Sequence, residues 1–193
     1  MAYPELFLLR HGETEWNSIG RLHGQKNSSL TNFGKEQAFG QAEFIKELSL
    51  SSDTLIYSSP LGRSIETAKI ISTHCRLDVR VDDNLSEVMM GEWQGLTWLE
   101  IETSYSDIIS TSINRFDASL MAPEGEGYGA LLVRAKSFLG NINKPSIIVS
   151  HGVLLSVIRG VLCNLSYVKT CKLQQTQGVV FHYKNGEERA LNL

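Results

Sequence analysis

The chain has 193 residues, a formal net charge of −3, 42% hydrophobic and 20% charged residues, the make-up of an ordinary soluble globular protein. It carries no run of lysines and arginines, which argues against non-specific binding of nucleic acid or an anionic membrane as its main task. With that net charge, an anionic ligand would need positive charge built locally into a pocket, and no apolar stretch approaches transmembrane length.

The length suits one domain, residues 1–193, with a sizeable core. Met1 to Glu5 lack a basic segment followed by a long apolar region, so no signal peptide is expected. Cys75, Cys163 and Cys171 are odd in number and widely spaced, with neither metal-ligand nor redox spacing. Reduced, structural thiols and a cytoplasmic location are the expectation.

Leu6-Phe7-Leu8-Leu9 reads as a strand buried on both faces, and it ends in Arg10-His11-Gly12. Gly12 is expected to allow a tight turn there. The carboxyl end of a strand is where open α/β sheets put their ligand crevice. Residues 12–32 are polar and punctuated by glycine, the composition of a functional loop. A helix is predicted from Phe33 to Leu48, after Thr31, with Ala38, Ala42, Ile45 and Leu48 at helical spacing.

Thr54 to Tyr57 reads as a second strand. Ser58-Ser59-Pro60 then starts a helix, with Ser59 as cap and Leu61, Ile65 and Ala68 facing inward. Val79 to Val81 is a short third strand leading to Leu85-Ser86-Glu87. From Thr97 to Met121 the pattern is poor and helix is expected only in part. Pro123 to Gly127 breaks the chain before a helix with Leu131, Ala135, Phe138 and Leu139 inward. The Gly125 to Gly129 run follows no strand, so it is no dinucleotide fingerprint.

Ser146-Ile147-Ile148-Val149 is another apolar strand, followed by Ser150-His151-Gly152 and a helix from Val153 to Leu162. Two strands ending in His-Gly can bring two imidazoles into one crevice. Val179 to Tyr183 alternates like a strand, and Asn185-Gly186 signals a hairpin before Arg189 to Leu193. Strands alternating with helices indicate an α/β fold, mixed at the hairpin edge.

Four runs resemble, in order, the motifs of the histidine phosphatase superfamily, phosphoglycerate mutase-like branch. They are Leu9-Arg10-His11-Gly12-Glu13-Thr14-Glu15-Trp16-Asn17, Ser58 to Ala68, Leu85-Ser86-Glu87 with Gly91-Glu92-Trp93-Gln94-Gly95, and Ser150-His151-Gly152. The resemblance implies a three-layer α/β/α sandwich, with a mostly parallel central sheet and helices on both faces. It further implies phosphotransfer through a phosphohistidine, with no metal and no cofactor.

His11 is the candidate nucleophile, since a neutral imidazole can attack phosphorus if one nitrogen is free and the other N–H is held. Arg10 and Arg63 match phosphate oxygens, and Arg63 also sits where a helix amino terminus favours an anion. By resemblance His151 bonds the transferring phosphoryl group. Glu87 is the candidate general acid, needing a raised pKa for that role. The phosphate- and substrate-binding set is Arg10, His11, Asn17, His23, Gly24, Arg63, Glu87, His151 and Gly152.

His23, His74 and His182 lack the context of His11 and read as surface or structural. His23 is in the binding set only because it falls in the family's substrate-facing loop. Trp16, Trp93 and Trp98 read as core or pocket wall. Asn27 and Ser29 depart from the aspartate and proline usual in the family loop, and Glu126-Gly127 lacks the serine often seen there. A metal held by the histidines is disfavoured, because two adjacent arginines would repel a cation.

The reading is therefore a phosphatase of small phosphorylated metabolites, without nucleic-acid or membrane partners and compatible with a homodimer. Its rivals are a 2,3-bisphosphoglycerate-dependent phosphoglycerate mutase and a non-catalytic phospho-ligand or protein-binding module. Mutases of the family carry paired arginines in an inserted segment, whereas Thr97 to Met121 holds only Arg115.

Overall fold

The computed structural model describes residues 3–48 and 50–191. Residues 1 and 2 and the last two residues of the final predicted strand lie outside them. One six-stranded sheet runs through these residues, built from β1 (Leu6–Arg10), β2 (Leu55–Ser58), β3 (Val79–Val81), β4 (Ser146–Ser150), β5 (Val180–Lys184) and β6 (Glu187–Leu191), in the order β3-β2-β4-β1-β5-β6. The first four strands are mutually parallel, while β5 runs antiparallel to β1 and β6 antiparallel to β5. The sheet is thus mostly parallel and mixed at the hairpin edge, as the sequence predicts.

The helices are α1 (Glu15–Ser18), α2 (Asn32–Glu47), α3 (Gly62–Cys75), α4 (Trp98–Ser104), α5 (Ser106–Thr111), α6 (Arg115–Leu120), α7 (Gly127–Asn141), α8 (Gly152–Leu162) and α9 (Tyr167–Thr170). Because strand side chains alternate, Phe7 and Leu9 pack with Ala42 and Ile45 of α2 and Ala68 and Ile71 of α3. Leu6 and Leu8 enter the opposite cluster, with Leu131 and Phe138 of α7 and Leu154 and Ile158 of α8. Helices therefore cover both faces of the central strands, which explains the unbroken apolar run at β1.

Two expectations are corrected. The second helix motif starts at Gly62, with Leu61 as an N-cap that makes no side-chain bond, so Ser59 does not cap it. Its buried face is Arg63, Ser64, Thr67, Ala68 and Ile71. Leu61 and Ile65 are only half-buried, because the amino-terminal turn of α3 faces a polar site. The poorly patterned Thr97 to Met121 stretch folds as three short helices, and α9 and α1 were not expected at all. Inside the predicted loop, α1 is closed by a capping box between Thr14 and Asn17.

Candidate active site

β1 and β4 are paired in parallel register, Arg10 opposite Ser150, so the residues that follow them emerge side by side. His11 donates its backbone N–H to the Ser150 carbonyl at 3.0 Å, and the His11 and His151 ring centroids lie 5.1 Å apart. Both imidazoles are buried. Gly12 is required by contact rather than by a turn. A Cβ there would lie 2.1 Å from the Gly34 carbonyl oxygen of α2, and one on Gly34 would lie 2.0 Å from the Glu13 carbonyl oxygen.

His11 Nδ1 is 2.7 Å from the Gly12 carbonyl, and Arg63 donates Nε–H to His11 Nε2 at 3.1 Å. Together these fix the tautomer, with the proton on Nδ1 and the Nε2 lone pair accepting from Arg63. Burial first, then Arg63 and Arg10, hold the His11 pKa well below the ordinary imidazole value. The His151 pKa is lowered well too, by burial, Arg63, His11 and Arg10. His151 Nε2 meets Ser59 Oγ at 2.7 Å, while its Nδ1 is buried without a partner.

Arg10 donates Nη1 to the Gln175 carbonyl at 2.6 Å, and its buried Nε has no partner. Burial lowers its pKa, an effect Glu87 opposes. Arg63 is buried and heavily engaged. Nη1 reaches the Lys26 carbonyl at 2.7 Å and Asn27 Oδ1 at 3.3 Å, and Nη2 reaches the Gly24 carbonyl at 2.9 Å. Burial brings its pKa to about 10. It lines a shallow hollow with Asn27, Ser28 and Glu66, so it holds the Gly24 to Asn27 loop as well as touching the imidazole at Nε2. Asn27 and Ser29 therefore build an ordered loop despite their departure from the family pattern, Ser29 by accepting the Glu15 N–H. Glu66 pairs with Lys35 rather than with Arg63.

In front of the imidazoles opens a crevice lined by Arg10, His11, Asn17, Glu87, Gly152 and Gln175, with Arg21, His23, Gly24, Met90 and Trp98 around them. The two Glu87 oxygens accept from three backbone amides, Val88 and Leu154 on Oε1 at 2.9 and 3.1 Å and Val153 on Oε2 at 3.1 Å. Two of these open α8, where the helix amino end favours an anion. Asn17 Oδ1 accepts from the Thr14 N–H and from Gln177 Nε2. His23 Nε2 bonds Thr14 Oγ1 at 2.8 Å, and burial with Arg63 and Arg10 lowers its pKa to about 3.

Of the predicted site residues, Arg10, His11, Asn17, His23, Gly24, Glu87 and Gly152 line this crevice, while Arg63 and His151 do not line it and instead adjoin the His11 ring. Residues missed from the sequence include Ser59, Thr67, which accepts the Gly12 N–H, and Gln177, which donates to the His11 carbonyl. Arg21 at the crevice was also missed. His74 pairs with Glu43, and His182 stacks on Phe7 and bonds Glu5, both away from the crevice. Trp93 is core and Trp98 is crevice wall. Among the described residues no group of three His, Cys, Asp or Glu is placed to hold a metal ion, and no helix is long and apolar enough to cross a membrane.

The model of the histidine phosphatase superfamily (branch 1) matches residues 6–193. A probable phosphoglycerate mutase of Proteus mirabilis is 35% identical over 173 residues, covering 83% of this chain and 75% of that protein. A glucosyl-3-phosphoglycerate phosphatase of Mycolicibacterium vanbaalenii is 30% identical over 179 residues, covering 86% and 76%. The native structure of a mycobacterial glucosyl-3-phosphoglycerate phosphatase superposes with a TM-score of 0.79 at 27% identity, covering 93% of this chain and 89% of that one.

Proposed function

The chain belongs to the histidine phosphatase superfamily, branch 1, and on that premise we propose that it is a metal-independent phosphomonoesterase working through a phosphohistidine at His11. The observation that carries this reading is the His11 ring itself, with Nδ1–H engaged by Gly12 and an unprotonated Nε2 whose lone pair accepts only the Arg63 Nε–H, a contact the entering phosphoryl group displaces. In the first step His11 Nε2 bonds to phosphorus as the ester P–O bond breaks. Glu87 relays to the departing oxygen a proton brought in by the monoanion of the phosphate ester. In the second step water attacks the phosphohistidine, Glu87 takes its proton, and inorganic phosphate leaves with His11 restored.

Charge builds on the equatorial oxygens of the PO₃ unit in both steps. The Arg10 Nε and His151 Nδ1, buried and without a partner among the described residues, are the donors assigned to them, with Arg63 adding field from its contact at His11 Nε2. Asn17, His23, Gly24 and Gly152 complete the binding surface. The substrate is a small phosphorylated metabolite, and neither nucleic acid nor membrane takes part.

A mutase reading has two observations in its favour, the name of the Proteus relative and the cation of Arg21 at the crevice. Hydrolysis is preferred because Arg115, the single basic residue of the Thr97 to Met121 segment, pairs with Glu102 and stacks over Trp98.

The test is a phosphomonoester panel run with excess chelator on the parent and His11→Ala. We expect chelator to leave turnover unchanged, His11→Ala to abolish it, and rapid quench to trap acid-labile phosphate on the parent alone. Turnover by His11→Ala would sink the nucleophile. Sustained, bisphosphoglycerate-primed interconversion of 2- and 3-phosphoglycerate would replace hydrolysis by the mutase reading.

A further inference from the structure

Opposite the amides that hold the Glu87 carboxylate, a second grip closes on its backbone. Arg134, on α7, is bound fork to fork by Glu126 at the head of that helix, Nη2 to Oε1 at 2.5 Å and Nε to Oε2 at 3.2 Å. Its remaining donors all reach one loop. Nη1 bonds the Asn84 and Ser86 carbonyls at 2.6 and 2.9 Å, and Nη2 bonds the Glu87 carbonyl at 3.3 Å. Arg134 thus touches three of the four residues that end at Glu87 and lies outside the set that lines the crevice.

We propose that the Glu126–Arg134 pair is a positioning device for Glu87, fixing the height at which its carboxyl group meets the oxygen that leaves phosphorus. The proposal rests on the reading of Glu87 as proton donor. The carboxylate is anchored to α8 by the two amides of Val153 and Leu154, so a shift of the Glu87 backbone must pull one anchor against the other. A planar guanidinium held bidentately cannot swivel, and it binds three carbonyls that no other cation reaches. Gln25 Nε2, from the loop that ends at Arg63's contacts, adds a bond to the same Glu87 carbonyl at 3.2 Å and ties the clamp to the phosphate side.

The leaving group offers a readout that simple loss of stability would not move. Expulsion of an alkoxide needs a proton, whereas p-nitrophenolate departs without one, so only alkyl esters should depend on where Glu87 sits. The quantity to compare is kcat/KM, which reports the steps up to phosphorylation of His11, for glycerol 3-phosphate and p-nitrophenyl phosphate. The variants are Arg134→Lys, the near-isosteric Glu126→Gln, Glu87→Gln and the double Arg134→Lys/Glu87→Gln. Both positioning variants should lose about tenfold or more on the alkyl ester and at most about threefold on the aryl ester. In the Glu87→Gln background, Arg134→Lys should add no further alkyl-specific loss. Equal losses on the two esters, or additive losses in the double variant, would overturn the positioning role. If Glu87→Gln itself fails to distinguish the esters, the proton-donor reading fails first and the clamp loses its purpose with it.

Discussion

His151 shows how much of this site depends on single hydrogen bonds between residues far apart in the chain. Ser59 Oγ already accepts the Leu61 N–H at 3.2 Å, and its second contact, at 2.7 Å, is with His151 Nε2. That contact aims the unpartnered Nδ1, and among the described residues no second hydrogen bond holds the ring. Ser59→Ala should therefore reduce kcat/KM by roughly three- to tenfold, the value of about one hydrogen bond, with little change in Tm. Steady-state kinetics beside a melting curve tests this, and an unchanged kcat/KM would mean the ring needs no such brace. Arg10, His11 and His151 are legible in the sequence because each directly follows an apolar strand run, where a cation or imidazole has no packing reason to be. Ser59, Thr67 and Gln177 are not, because their contribution exists only across separations of 55 to 166 residues. The one trace they leave is position, Thr67 being polar on the inward face of α3.

Among the elements, the approach of α2 to the end of β1 sets where His11 sits. Gly12 and Gly34 pass backbone to backbone, and a methyl group on either would press into a carbonyl that has no rotamer by which to yield. Gly12→Ala is expected to destabilise the fold by about 3 kcal/mol or more, beyond the usual cost of overpacking. Urea unfolding measures it, and a loss under about 1 kcal/mol would show that α2 can move. The glycine was visible in the sequence but its reason was not, since a turn and a close approach demand the same residue. The long helices α2, α7 and α8 and every strand are legible because periodicity accumulates over several residues. The helices between Thr97 and Met121 have six or seven residues each, too few for a face to emerge. One local sign was available there, since Thr97 and Glu100 carry the capping-box pattern that closes α4.

For the whole molecule, burying three neutral imidazoles beside two guanidiniums ties the stability of the fold to pH. His11, His23 and His151 all have folded-state pKa values below the ordinary 6.5, through burial and then through the arginines. The unfolded chain has no such environment, so below pH 6.5 it binds protons that the folded chain refuses. Stability is therefore at its full value above pH 6.5, and it falls as pH drops through that value. The loss continues until each folded-state pKa is reached, about 3 in the case of His23. One proton per group is worth about 1.4 kcal/mol per pH unit, so the three together should make the protein about 4 kcal/mol less stable at pH 5.5 than at pH 7.5. Carboxylates lowered by their partners, such as Glu5 beside His182 and Lys184, titrate below this window and leave it to the imidazoles. His23→Gln should remove about a third of the difference, since it deletes one of three protons and leaves the His11–His151 pair in place. Urea titrations of both proteins at the two pH values read the slope directly. A parent whose stability is flat between pH 7.5 and 5.5 would mean that at least one imidazole takes up a proton in the folded state. The unprotonated Nε2 of His11, on which phosphoryl transfer relies, would then be the first thing to doubt.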